Sequence, residues 1–326
     1  MGSSIGQWLR GLTISQQIGL LFVIVFGILS FATAVAFMKS LQATPDKQEA
    51  TDAMWRDMRA LWVGTLLFWI SWATGAVVST LLFAIISFLA LREFITLTHT
   101  RRGDHRALLM AFFFVLPVQY WLAGGRFFDL FSVFIPVYAF AALPILAVFG
   151  NDATRFLERT AKIQWGTMVC VYGMSHAPAL LLLEFPNYED RGAFLVLYLV
   201  VVVVTAQIAQ HTVKRRIRTL PAARHISRTF SWRAWALGAL AAGLVGGLLY
   251  WITPFKAPQA IFIGFVAGGC GTLGELVMQA LKRDAGVRHW GGRATVTGAV
   301  GLLDRVAPLC FAAPVFFHSL RWYFGA

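Results

Sequence analysis

The sequence predicts an all-α, polytopic integral membrane protein with about nine transmembrane helices, or ten if one long block is broken. Three observations predict it. Of the 326 residues 58% are hydrophobic and 13% charged, about half the charged share of a soluble chain. The apolar residues come in blocks of roughly 20, long enough to cross about 30 Å of hydrocarbon. Lys and Arg gather between alternate pairs of blocks, as expected of loops sharing one side of a membrane. Without water, backbone groups must bond within their own segment, and helices follow.

The blocks run at about 17–37, 61–97, 107–124, 128–148, 163–183, 194–211, 234–252, 259–281 and 303–322. The segment before the first lacks the basic cluster and short apolar core of a cleaved leader, so 18–37 reads as a retained span. The second block is too long for one straight helix, and Thr74-Gly75 is its expected break. A mixed-charge loop is expected over 38–60. Four basic loops follow. The first is HTRRGDHR at 99–106, and the second, 151–162, carries Arg155, Arg159 and Lys162. The third carries Lys214, Arg215, Arg216, Arg218, Arg224, Arg228 and Arg233, and the fourth Lys282, Arg283, Arg288 and Arg293. Pairs of spans separate them, which puts all four on one side, expected to be cytoplasmic. The loops near Gly125, 184–192 and Pro254 are short or acidic, as an outer side should be. The economical reading is a single membrane domain, 1–326, with basic loops 212–233 and 282–303 carrying the site.

The formal net charge of +13 follows from this placement against an anionic leaflet, and no nucleic-acid partner is expected. Cys170, Cys270 and Cys310 all lie in apolar segments without a Cys-x-x-Cys pair, so neither a disulfide framework nor a cysteine metal site is expected. His176, beside Pro178, reads as a hydrogen-bonded structural histidine, and His318 as a marker of the outer interface. Arg92 and Glu93 read as an interfacial pair near a span end. A transporter would show inverted repeats, and none is visible.

Polar chemistry concentrates at 274–305, GELVMQALKRDAGVRHWGGRATVTGAVGLLDR. Glu275, Gln279 and Lys282 fall at i, i+4 and i+7 on one helical face. Glu275 sits about two turns inside an apolar block, where a carboxylate is costly and a functional candidate, the alternative being an ion pair with Lys282 or a nearby Arg. Gly298 and Gly301 precede Asp304-Arg305, which open the last span. Glycines allow close backbone approach and a helix start favours phosphate, although Asp304 alone could be an N-terminal cap.

These residues resemble the signature of the CTP:phosphatidate cytidylyltransferases, S-x-L-K-R-x-x-x-x-K-D followed by P-G-H-G-G-x-L-D-R-x-D. Lys282, Arg283, Gly298, Gly301, Leu303, Asp304 and Arg305 match it directly. ALREFITLTHTRRGD at 90–104 and LCFAAPVFFH at 309–318 look like a bacterial branch, which implies a bacterial inner membrane. The departures are equally specific. Glu275 stands for an Asp, Met278 and Gln279 for Glu and Ser, Arg288-His289 for Lys-Asp, Ala299 for His and Ala307 for Asp. Upstream, Gln207 aligns with an Asp, and 227–234 matches S-P-x-K-T-W-E-G only at Ser227 and Trp232.

The resemblance implies transfer of a cytidylyl group from CTP to phosphatidic acid, giving CDP-diacylglycerol and pyrophosphate in phospholipid biosynthesis. It implies Mg²⁺ held by Glu275 and Asp304, catalytic roles for Lys282, Arg283, Asp304 and Arg305, and substrate contacts from Arg288, Gly298, Gly301 and Ser227. CTP, phosphatidic acid and membrane lipids are the expected partners, and a homodimer is compatible with them. Loss of so many carboxylates moves the site toward positive charge. The alternative is therefore a catalytically degenerate paralogue that binds anionic lipid or regulates lipid metabolism.

Overall fold

The computed structural model of the protein describes residues 2–41, 48–96, 100–186, 188–217, 220–227, 230–287 and 301–325. Their regular structure is helical, with an isolated antiparallel bridge between Ala223 and Ser227. The chain forms two compact units, Met1–Gly75 and Ala76–Ala326.

The first unit holds α1 (Gly2–Arg10), α2 (Ile14–Leu41) and α3 (Gln48–Thr74). Thr13 and Gln16 open α2 reciprocally: the Thr13 backbone N–H donates to Gln16 Oε1 at 3.0 Å, and the Gln16 N–H to Thr13 Oγ1 at 3.3 Å. This pairing satisfies donors that a helix start otherwise leaves orphaned. α2 and α3 pack through aromatics, Phe26 on Trp62 and Phe22 on Trp69, and Trp62 Nε1 donates to Thr33 Oγ1 at 3.0 Å. Much of the expected 38–60 loop is helix, because Gln, Glu, Ala, Met and Arg beyond the apolar block are good helix formers. The break at Thr74-Gly75 is where the sequence places it. α3 ends at Thr74 and Gly75 takes φ +91°, a conformation that costs a glycine little.

The second unit holds α4 (Ala76–Thr96), α5 (Arg102–Gly124), α6 (Phe128–Val148), α7 (156–181), α8 (Gly192–Arg216), α9 (Trp232–Leu248), α10 (Ala257–Asp284) and α11 (Leu302–Phe324). Among the described residues six helices are long and apolar enough to cross a membrane: α2, α4, α5, α6, α8 and α10. α5, α6 and α7 each widen into a π-helical turn, at Ala111–Val115, Phe134–Ala139 and Thr167–Gly173. Pro117, Pro144 and Pro178 follow these turns, and Pro136 lies inside the second. A helical proline lacks an N–H and presses on the carbonyl four residues back, and a widened turn relieves that pressure. α7, α8, α9, α10 and α11 approach closely over small residues. A Cβ on Gly268 would stand 2.6 Å from Ala242 Cβ, and one on Gly173 only 2.4 Å from the Cys310 carbonyl oxygen. Membrane helices associate largely through such close contact. Cys170 and Cys310 are buried, and all three cysteines are unpaired.

Loop contacts join neighbouring loops within this unit. Arg159 spans the first two basic loops, meeting Asp104 at 3.2 Å and Asp152 at 2.6 Å. Arg283 Nε donates to the Ile226 carbonyl at 2.6 Å, joining the third and fourth. At the other helix ends Arg126 pairs with Glu184 at 2.8 Å, and the Tyr188 hydroxyl donates to the Ile252 carbonyl. The loops near Gly125, 184–192 and Pro254 thus meet each other. α8 runs on to Arg216 and α10 to Asp284. Both basic segments therefore begin as helix ends, where cations meet the negative pole of the helix.

Candidate functional site

Three helix ends supply the polar groups of the signature region. The last turns of α10 carry Glu275, Gln279, Lys282 and Arg283, the first turn of α11 carries Asp304 and Arg305, and α8 brings Gln207 and His211. Gly274 lets α11 lie close to α10, since a Cβ there would meet the Phe311 ring at 2.2 Å.

Lys282 Nζ donates to Asp304 Oδ1 at 2.5 Å, with the two side chains 15% and 30% exposed. The signature lysine and aspartate thus meet across the α10–α11 junction, and the alternative of Lys282 pairing with Glu275 is not what forms. Glu275 instead accepts from two amides, Gln207 Nε2 at 3.1 Å and Gln279 Nε2 at 3.2 Å. His211 Nε2 stands 3.8 Å from its Oε1. Gln207 occupies the position of a family Asp. An amide thus donates to the carboxylate where two carboxylates would need a cation between them.

The remaining expected residues divide. Arg283 is tied to the Ile226 carbonyl, so it fastens the third loop to α10. Arg305 is exposed at the start of α11. Gly301 is the residue before that helix, at φ +71°, so Asp304 lies in the first turn and is not the cap. Ser227 is buried and its Oγ accepts from the Phe230 N–H at 3.2 Å, two residues before α9 begins. Arg288 and Gly298 lie outside the described residues.

One residue of the site escaped the sequence reading. Glu93, at the end of α4, is buried, and its Oε2 accepts from the Leu303 N–H at 3.1 Å. A carboxylate from another helix thus satisfies the start of α11 and adds negative charge where the helix is positive. Its sequence signal was weak, an acidic residue deep in a span end beside Arg92 that suited simple interfacial pairing.

Glu275 and Asp304 both offer hard oxygen, and each keeps lone pairs beyond the bonds it makes. Among the described residues no three His, Cys, Asp or Glu side chains converge on a metal position. Mg²⁺ asks for less, one or two carboxylates completed by water and substrate phosphate, and these two residues fit that more modest role.

Residues 54–323 match the sequence model of the cytidylyltransferase family. The chain is also 35% identical over 245 residues to the uncharacterized protein YnbB of Escherichia coli strain K12, covering 74% of this chain and 78% of that protein. With the signature lysine and aspartate in contact across two helix ends and most of its length matched, the chain belongs to the cytidylyltransferase family.

Proposed function

We propose that the protein transfers the cytidylyl group of CTP to phosphatidic acid, releasing pyrophosphate and forming CDP-diacylglycerol. The observation that carries this reading is the Lys282–Asp304 contact at 2.5 Å, which sets a cation and a carboxylate together at the junction of α10 and α11. In line attack by the lipid phosphate on the α-phosphorus depends mainly on positioning and charge neutralisation. Lys282 lets go of Asp304 and itself meets an incoming phosphate, and exposed Arg305 at the helix start offers bidentate contact. Arg283 holds the third basic loop beside them. Glu275 and Asp304 are the residues that would hold Mg²⁺, which when bound neutralises the triphosphate charge.

The site faces the cytoplasm in this reading, because it lies on the basic side of the second unit. Nine crossings follow if α7, α9 and α11 span together with the six candidate spans, and ten if α3 does as well. Sparse Mg²⁺ ligands favour a second reading, an anionic-lipid binder without turnover. Gln207 holds Glu275 by an amide where a carboxylate would strengthen metal binding.

The test is incorporation of radiolabelled CTP into lipid by the purified protein in micelles of phosphatidic acid with Mg²⁺. Labelled CDP-diacylglycerol, abolished in Asp304→Ala, is the expected result. Absence of product, with an authentic family enzyme active in the same micelles, overturns this reading in favour of the second.

A further inference from the structure

A second cluster of metal-ligating side chains lies where α6, α7 and α11 meet. Asp304 and His318 stand about 21 Å apart along α11 at 1.5 Å per residue, so this cluster is remote from the signature residues. His176 is fully buried. Its Nδ1 lies 2.7 Å from the Tyr172 carbonyl oxygen, which can only accept, so Nδ1 carries the proton and Nε2 keeps its lone pair. That Nε2 faces His318 Nε2 at 3.3 Å. His318 Nε2 in turn stands 3.2 Å from the Tyr172 phenol oxygen, whose hydroxyl donates to the Ser132 carbonyl at 3.2 Å.

The His176–His318 edge has a specific chemical meaning. Two ligands bound to zinc at 2.0–2.1 Å and separated by the tetrahedral angle stand about 3.3–3.4 Å apart. A hydrogen bond from a ring N–H is normally shorter, roughly 2.7–3.2 Å, and the 3.2 Å His318–Tyr172 contact has the length of such a bond. The clamp on His176 Nδ1 also matches the outer shell of metal-bound histidines, whose second nitrogen usually donates to a carbonyl or carboxylate and fixes the tautomer. Here that carbonyl is held further: Ser175 Oγ donates to it at 2.8 Å and receives the Gln119 amide at 3.1 Å. Phe131 and Phe317 wall the cluster, with ring centroids 4.7 and 5.1 Å from that of His176. His318 is only half-buried, which gives an ion a way in.

We propose that His176 Nε2, His318 Nε2 and the Tyr172 phenol oxygen bind a single first-row divalent cation. Zn²⁺ is the member of that class whose tetrahedral preference and borderline softness suit two imidazoles and one oxygen. The phenol gives up its hydrogen bond to the Ser132 carbonyl and binds as phenolate, its proton leaving to solvent, and a water completes the fourth position. The resulting site is a separate structural or regulatory metal centre, and it stands or falls independently of the cytidylyltransferase reading.

The test uses the full-length protein in detergent, stripped with a chelator and titrated with Co²⁺ as a spectroscopic substitute for zinc. The expected result is saturation at one Co²⁺ per chain, with the intense visible bands of a tetrahedral site. Zn²⁺ displaces it and Mg²⁺ does not. His318→Gln and Tyr172→Phe, checked for native helicity by circular dichroism, weaken binding by about tenfold or more. Asp304→Ala and Glu275→Gln leave it unchanged. Absence of tetrahedral bands, or binding indifferent to both His318→Gln and Tyr172→Phe, overturns the proposal and leaves the cluster a hydrogen-bonded network.

Discussion

Lys282 and Asp304 pair at the α10–α11 junction, and in the proposed reaction an arriving phosphate would divide them. Lys282→Ala should therefore lower turnover by at least about a hundredfold, the scale on which misplaced groups at a reacting centre are felt. Gln207 points to a sharper comparison. Gln207→Asp would set a second carboxylate beside Glu275, and Mg²⁺ affinity should rise about tenfold as ligand charge increases. A drop in affinity would mean that the amide is needed to aim Glu275. Glu93→Ala removes a buried acceptor from the Leu303 N–H and should cost about 1–3 kcal/mol, read as a lower melting temperature. The lysine–aspartate pair was legible in the sequence because both residues stand in one signature. The Glu93–Leu303 and Gln207–Glu275 contacts were not, because periodicity describes one helix at a time and these pairs join residues far apart in the chain.

Between elements, a buried arginine does the fastening. Arg159 and Asp104 are 5% and 1% exposed, and Asp152 receives both Arg159 and Arg101. Arg159→Ala would leave the Asp104 carboxylate buried without its cation and should cost about 3–5 kcal/mol, measurable as thermal inactivation in detergent. The Thr154 backbone N–H and hydroxyl, with Arg159, hold the Asp152 carboxyl well below its usual range. The sign follows from linkage: the unfolded state binds a proton more readily, so stability is intact above the ordinary Asp value of about 3.9 and declines as pH falls below it. Asp152→Asn should flatten that acid limb in a melting-temperature series. The basic loops and the Gly75 break were readable from composition. The π-helical turns were not, because each proline allows a kink, a break or a widened turn, and tertiary packing selects among them.

At the scale of the molecule, the second unit sorts its loops into two sets. One is tied by Arg159 and Arg283, the other by Arg126–Glu184 and Tyr188. The candidate site lies with the first set, where in the proposed reaction a water-soluble triphosphate and a lipid phosphate would meet at a basic membrane surface. In the sequence the Lys and Arg clusters already separate these two sets, and the lost carboxylates distinguish the two functional readings. Pyrophosphate release from CTP, measured together with lipid labelling in wild type, Lys282→Ala and Asp304→Ala, tests the account most directly. The account predicts release that depends on phosphatidic acid, matches labelled lipid mole for mole, and disappears in both variants. Full release in both variants would contradict it.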